Sequence, residues 1–206
     1  MENDAENELQ YNEIKVILLG NSGVGKTSII NVATGGKFDI NENVTVSASY
    51  AMKKIRVYKH DYILNIWDTT GQEKLRQQTK LFYNNSKIVL FVYDISSKES
   101  FTDLDYWVKD IEEKLGTNYV KGLVANKSDL FLNEQVKNEE GEDYASSIDA
   151  KFLEFSAKKE NPLKFEKFLV DLLLEYLKYN NRENVERSFS LTRKSVLEVK
   201  KKKNCC

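Results

Sequence analysis

The sequence predicts an α/β fold: a mostly parallel sheet with helices on both faces and one antiparallel edge strand. Three observations lead there. Short apolar runs alternate with helix-length amphipathic segments, the pattern of successive β-α units. One pair of runs is separated only by Lys59-His60-Asp61, so those two strands form a hairpin and make one edge antiparallel. The turn Gly20-Asn21-Ser22-Gly23-Val24-Gly25-Lys26-Thr27 joins the first apolar run to a helical segment, and it satisfies the phosphate-loop pattern G-x-x-x-x-G-K-[ST] in the strand-loop-helix context the pattern requires.

Taken in order, Ile14 to Leu19 reads as a buried strand and Lys26 to Thr34 as a helix. Strands follow over Ser49 to Tyr58 and Tyr62 to Trp67, then a helical segment near Gln72 to Tyr83. Lys87 to Tyr93 is apolar enough to be buried on both faces. A helix over Ser100 to Leu115, a strand over Tyr119 to Ala125, a helix over Asn138 to Ser147 and a strand over Lys151 to Phe155 continue the series. In Asn161-Pro162 the asparagine caps and the proline takes the first turn, where its missing N–H is harmless. Phe165, Phe168, Leu169, Leu172, Leu173 and Tyr176 then form the apolar face of the last helix.

The 206 residues fit one domain with tails, long enough to bury a substantial core. Thirty-one basic against 32 acidic side chains give a net charge of -1, which offers no electrostatic case for nucleic acid. Residues 1–12 read as an acidic, disordered lead-in rather than a basic, apolar signal peptide. No run approaches the roughly 20 apolar residues of a membrane span. Both cysteines, Cys205 and Cys206, lie at the extreme end, which suits a reducing cytosolic setting. His60 falls in the hairpin turn and reads as exposed, and Trp107 reads as core or partner surface.

The phosphate loop has a direct physical logic. Glycines let successive N–H groups point at phosphate oxygens, the helix N-terminus adds positive potential, Lys26 neutralises the β and γ phosphates, and the Thr27 hydroxyl ligates Mg²⁺. A second signal, Trp67-Asp68-Thr69-Thr70-Gly71-Gln72-Glu73, follows a strand and emerges at the same sheet edge. There Asp68 is placed to hold Mg²⁺ through its water shell, the Gly71 N–H to approach a γ-phosphate, and Gln72 to position water. A third, Asn126-Lys127-Ser128-Asp129, follows the strand containing Leu123-Val124-Ala125. The Asp129 carboxylate accepts from N1–H and the 2-amino group of guanine, whereas adenine presents no such pair of donors. Ser156-Ala157-Lys158, again after a strand, supplies a backbone donor to the base from Ala157. Taken singly, several of these segments are ordinary turns.

In this order and spacing the four elements resemble the small GTPases of the Ras superfamily over Glu13 to Tyr179. The loop form Gly-Asn-Ser-Gly-Val-Gly-Lys-Thr and a double cysteine after Lys200-Lys201-Lys202-Lys203-Asn204 look like the Rab branch. The resemblance implies a P-loop NTPase fold with a six-stranded sheet and five helices, GTP or GDP bound with Mg²⁺, and two switch segments that rearrange around the γ-phosphate. It implies a GTPase domain over 13–179 and a hypervariable tail over 180–206. It assigns the nucleotide to Ser22, Gly23, Val24, Gly25, Lys26, Thr27, Ser28, Phe38, Thr45, Gly71, Asn126, Lys127, Asp129, Ser156, Ala157 and Lys158. Mg²⁺ goes to Thr27, Thr45 and Asp68, and catalysis to Gln72 and Lys26. Counting back from Trp67 places Thr45 at the switch threonine, and Tyr50, Trp67 and Phe82 match the aromatic triad between the Rab switches; plain core packing is the commoner fate of such rings. The chain departs from the family at Val46-Ser47-Ala48-Ser49-Tyr50, at Thr70 before Gly71, and in Glu73-Lys74-Leu75-Arg76-Gln77-Gln78-Thr79.

Glu186 to Cys206 carries seven bases against two acids, a net of +5 that favours an anionic membrane surface. Prenylation of Cys205 and Cys206 adds the second signal that stable anchoring needs. The resemblance further implies a monomer that meets an exchange factor, an activating protein, a dissociation inhibitor and effectors, on the cytoplasmic face of intracellular membranes and in exchange with the cytosol. The role implied is GTP hydrolysis that switches effector recruitment in vesicle trafficking. Two other readings stand beside it: a nucleotide-binding membrane adaptor with impaired hydrolysis or atypical switching, and an ATP-using phosphate-loop kinase, against which Asp129 argues.

Overall fold

The computed structural model of the protein describes residues 12–36, 38, 49–68 and 83–180. The predicted helix near Gln72 to Tyr83, apart from Tyr83, and both tails lie outside the described residues, as do Thr45, Thr70, Gly71, Gln72, Phe82, Cys205 and Cys206. Six strands are present: β1 (Asn12–Leu19), β2 (Ser49–Val57), β3 (His60–Asp68), β4 (Ile88–Asp94), β5 (Val120–Asn126) and β6 (Ala150–Glu154). They form one sheet in the order β2-β3-β1-β4-β5-β6, antiparallel only between β2 and β3. Among the described residues five α-helices of more than one residue accompany them: α1 (Lys26–Ala33), α2 (Lys98–Thr102), α3 (Leu104–Leu115), α4 (Asn138–Ser147) and α5, over 162–180. The predicted α/β architecture and its antiparallel edge are present, and two of these five helices stand in place of the single helix expected over Ser100 to Leu115.

Period-two alternation in the strands sorts the core into two layers. Val16, Leu18, Leu90, Val92 and Val124 face α1 and α5, whose Ile29, Phe165, Leu169, Leu172 and Leu173 cover them. Ile17, Leu19, Val89, Phe91, Tyr93 and Leu123 face the other way, against Leu104, Trp107, Val108 and Ile111 of α3 and Ala145 of α4. Every residue of β4 is buried, the signature of a central strand covered on both faces. Gly122 in β5 gives α5 its close approach, since a Cβ there would lie 2.8 Å from Leu90 Cδ2 and 3.0 Å from Phe168 Cζ.

Three expectations shift in detail. The turn between β2 and β3 is Tyr58-Lys59, not Lys59 to Asp61: both residues have positive φ (49° and 67°), and Val57 already pairs with His60. This is the backbone of a primed two-residue hairpin turn, which matches strand twist but usually uses Asn and Gly, so its residues did not announce it. His60 therefore opens β3, and it is exposed as expected. The single helix expected over Ser100 to Leu115 is broken at Asp103 and starts earlier, because Ser97 Oγ accepts from the Ser100 amide at 3.2 Å and caps α2. A short 3₁₀ helix, Ser128–Asn133, was not foreseen. At α5 the Asn161 cap is present, with its Oδ1 accepting from the Leu163 amide at 3.0 Å.

Candidate functional site

Parallel strands end at one edge, and the register brings the chemistry there together. Leu18 pairs with Asp68, Leu19 with Phe91, Asp94 with Asn126 and Ala125 with Glu154, so the segments after β1, β3, β4, β5 and β6 emerge side by side. From β1 the sheet is extended on one side by β3 and on the other by β4, which makes this edge a topological switch point, the usual ligand crevice of open α/β sheets.

The phosphate loop leaves β1 there and turns into α1. Gly25, the residue before the helix, has φ 96°, and a Cβ on it would collide with the Asn126 side-chain amide. Only glycine meets both demands. Gly25 has no side chain with which to cap α1, so the first helical N–H groups have no cap side chain in front of them and suit an anion. Lys26 folds back under the loop, 5 % exposed, and its Nζ donates to the Gly20 and Asn21 carbonyls at 2.8 Å each. Burial pushes the Lys26 ammonium down to about 8, with attraction from Asp68 acting in the opposite direction. Thr27 Oγ1 donates to Asp68 Oδ2 at 2.6 Å. A hydroxyl and a carboxylate at this separation are two hard oxygen ligands, the donor chemistry Mg²⁺ prefers, so the residues present fit that ion.

The base side is built around Asn126, 1 % exposed at the end of β5. Its Nδ2 donates to the Val24 carbonyl at 2.8 Å and its Oδ1 accepts from the Ala157 amide at 3.3 Å, so one side chain ties the loops after β1, β5 and β6 together. Lys127 sits at φ 63°, a rare conformation for a residue with a side chain. Its Nζ pairs with Asp94 Oδ2 at 2.6 Å. Ser156 Oγ donates to Asp129 Oδ1 at 2.6 Å and accepts from the Lys159 amide at 3.1 Å, which fixes the carboxylate expected to recognise guanine. These groups line a cleft of about 330 Å³ bounded by Gly23, Gly25, Ser28, Phe38, Asn126, Lys127, Asp129, Leu130, Ala157 and Lys158. That volume suits a small molecule, whose sites span roughly 300 to 1,000 Å³.

Nine predicted residues thus line one cleft, Phe38 among them. Val24 is buried behind the loop, and Ser22 is exposed on it. Of the aromatic triad, Tyr50 and Trp67 stack with centroids 5.4 Å apart. Tyr50 is 56 % exposed while Trp67 is half-buried against the core, so the pair joins the surface to the core layer beneath it. Sequence reasoning missed Asp94, Leu130 and Asn21. A lone acid ending the apolar strand β4 was the available signal for Asp94; Leu130 and Asn21 had none.

The fold, the phosphate loop and the base cleft together define a phosphate-loop guanine-nucleotide protein of the small GTPase class. The Ras family model matches residues 15–175. Human Rab-22A is 40% identical over 146 residues, covering 71% of this chain and 75% of its own. Human Rab-30 is 34% identical over 158 residues, 77% of each chain, and RabC of Dictyostelium discoideum is 34% identical over 203 residues, 98% of this chain and 100% of its own. The chain belongs to the Ras family, as a Rab-type small GTPase.

Proposed function

We propose that the protein binds GTP and GDP at the cleft above with Mg²⁺, hydrolyses GTP, and uses the difference between the two states to recruit effectors to intracellular membranes in vesicle trafficking. The observation that carries this is the single bracket at Asn126, which holds the phosphate loop against the loops bearing Asp129 and Ala157, so that one ligand spans both a phosphate site and a purine site. Rab-named relatives aligned along nearly the whole chain support the trafficking part.

In this reading Asp129, held by Ser156, accepts from N1–H and the 2-amino group of guanine, and the Ala157 N–H, which donates to Asn126 Oδ1 at 3.3 Å, is shared with the purine carbonyl. The loop amides and Lys26 take the charge of the β and γ phosphates, where a buried ammonium acts at low dielectric and is worth more than in water. Thr27, Asp68 and Thr45 would hold Mg²⁺, which would supply further neutralisation of the phosphate oxygens. Gln72 orients a water for in-line attack on the γ-phosphorus; the bond to the β-γ bridging oxygen breaks, GDP departs, and the water's proton ends on the phosphate products. Catalysis is positioning and electrostatics, so turnover without an activating protein is slow.

Single-turnover hydrolysis of GTP with Mg²⁺, alongside Gln72→Leu, tests this. Measurable turnover that the substitution abolishes is expected. GTP binding with no hydrolysis by either protein, even with an activating protein present, makes the chain a nucleotide-gated adaptor instead. ATP competing as well as GTP removes the guanine assignment.

A further inference from the structure

The phosphate loop is also tied sideways, to α3. Trp107 Nε1 donates to Asn21 Oδ1 at 3.0 Å, and Asn21 Nδ2 donates to Asp103 Oδ2 at 2.7 Å. Asp103 immediately precedes α3, and Trp107 lies one helical turn on, its amide bonded to the Asp103 carbonyl at 3.3 Å, so both partners sit on one face. The amide of Asn21 has only one workable orientation: flipped, its carbonyl would oppose the Asp103 carboxylate and its NH₂ would oppose the indole N–H. The indole is 3 % exposed, and Asn21 and Asp103 are half-buried, so water competes poorly for these bonds. The main-chain carbonyl of the same Asn21 is one of the two that hold Lys26 Nζ, at 2.8 Å.

We infer that Asn21, Trp107 and Asp103 form a brace that positions the phosphate loop, and through the Asn21 carbonyl the Lys26 ammonium, for a bound phosphate chain. These are positioning residues: none of them lines the cleft. The inference rests on the nucleotide reading above and adds to it a specific dependence of nucleotide retention on α3. Loosening the brace lets the loop and Lys26 sample other geometries, which shows chiefly in how fast ligand leaves.

The experiment is the dissociation rate of a fluorescent GDP, in saturating Mg²⁺, from the full chain and its variants. Asn21→Asp sets two carboxylates against each other and is expected to speed release about tenfold, the loss of one charge-assisted hydrogen bond. Adding Asp103→Asn restores a donor-acceptor pair with the roles reversed, and the double variant should return to within about twofold of the unmodified rate. Trp107→Phe removes the indole donor but keeps a ring, and should speed release about threefold to tenfold; it carries the test if Asn21→Asp does not fold. Gly122→Ala, which strains the core away from the loop, should release GDP at the unmodified rate, separating positioning from general loss of stability. Unchanged release from both Asn21→Asp and Trp107→Phe, or a double variant as fast as Asn21→Asp, overturns the brace alone. An unmodified protein that retains no GDP overturns the proposed function and the brace with it.

Discussion

Replacing Asn126 by alanine probes the point on which the site's assembly depends. The native amide uses both ends, donating to Val24 at 2.8 Å and accepting from Ala157 at 3.3 Å, with 1 % of the residue exposed. Asn126→Ala leaves a carbonyl and an N–H without partners where water has little access. A buried orphan of this kind costs about 1 to 3 kcal/mol, and the longer bond belongs at the low end of that range, so the substitution should cost about 3 kcal/mol in all. Against a total stability of roughly 5 to 15 kcal/mol that is a large fraction. Urea unfolding followed by far-UV circular dichroism measures it as a lower midpoint at constant slope. Asn126→Asp is the sharper comparison: it keeps an acceptor for Ala157 but sets a carboxylate oxygen against the Val24 carbonyl. It should therefore destabilise at least as much as alanine. A loss below about 0.5 kcal/mol for alanine, within the range of ordinary surface substitutions, or an aspartate variant as stable as the unmodified protein, would refute the bracket.

Other outcomes follow from the same geometry. Lys26 titrates near 8 in the folded protein against 10.5 in the unfolded chain, so its burial penalty is fully present below pH 8 and is relieved as pH rises toward 10.5. The unmodified protein should therefore gain stability relative to Lys26→Met across that window, by up to about 3 kcal/mol, in paired unfolding curves without nucleotide. A flat difference between the curves contradicts the assignment. Gly122→Ala pushes a methyl against Leu90, Phe168 and Leu172 and should cost about 1 to 3 kcal/mol in urea unfolding; a neutral result would mean α5 can move away. Asp129→Ala should weaken GDP binding about tenfold or more in fluorescence titration, since each charge-assisted bond contributes about 1.5 to 3 kcal/mol. Removing Cys205 and Cys206 should abolish co-sedimentation with membranes, and persistent pelleting would argue against a lipid anchor.

What the sequence disclosed and what it hid separate along physical lines. The strands were legible because β4 and β5 are apolar on both faces, and the last helix because Asn161, Pro162 and the Phe165 to Leu173 stripe mark its start and its buried side. The loop glycines and Lys26 were legible because binding phosphate through backbone N–H groups demands fixed residue types at fixed spacing. The Tyr58-Lys59 turn was not, since neither side chain favours positive φ and the conformation is imposed by pairing of the strands on either side. Asn21 was invisible for a different reason. In sequence it is one variable position of a loop motif, and its partners Asp103 and Trp107 lie more than 80 residues away.

The distribution of buried polar groups explains why those distant residues converge. Among the described residues the polar or charged side chains most hidden from water are Lys26, Asp68, Ser86, Asp94, Ser100, Asn126 and Ser156. All but Ser86 lie at, or bond to, the edge where the parallel strands end; Ser100 belongs there because its Oγ accepts from the Asp94 amide at 3.0 Å. Each costs desolvation that an apolar residue would avoid, and each is compensated by a neighbour at the same edge: Lys26 by two carbonyls, Asp68 by Thr27, Asp94 by Lys127, Asn126 by Val24 and Ala157, Ser156 by Asp129 and Lys159. A sheet needs none of this to be stable, and at its opposite edge the buried polar groups among the described residues are neutral hydroxyls, those of Ser86, Tyr83 and Tyr119. A connected set of desolvated donors and acceptors at one end of an apolar sheet is preorganised polarity, useful to a charged ligand that arrives with the complementary groups. Side chains outside the cleft, such as Asn21, which ties the loop to Asp103 and Trp107, and Asp94, which pairs with Lys127 of the base motif, then set how rigidly that polarity is held.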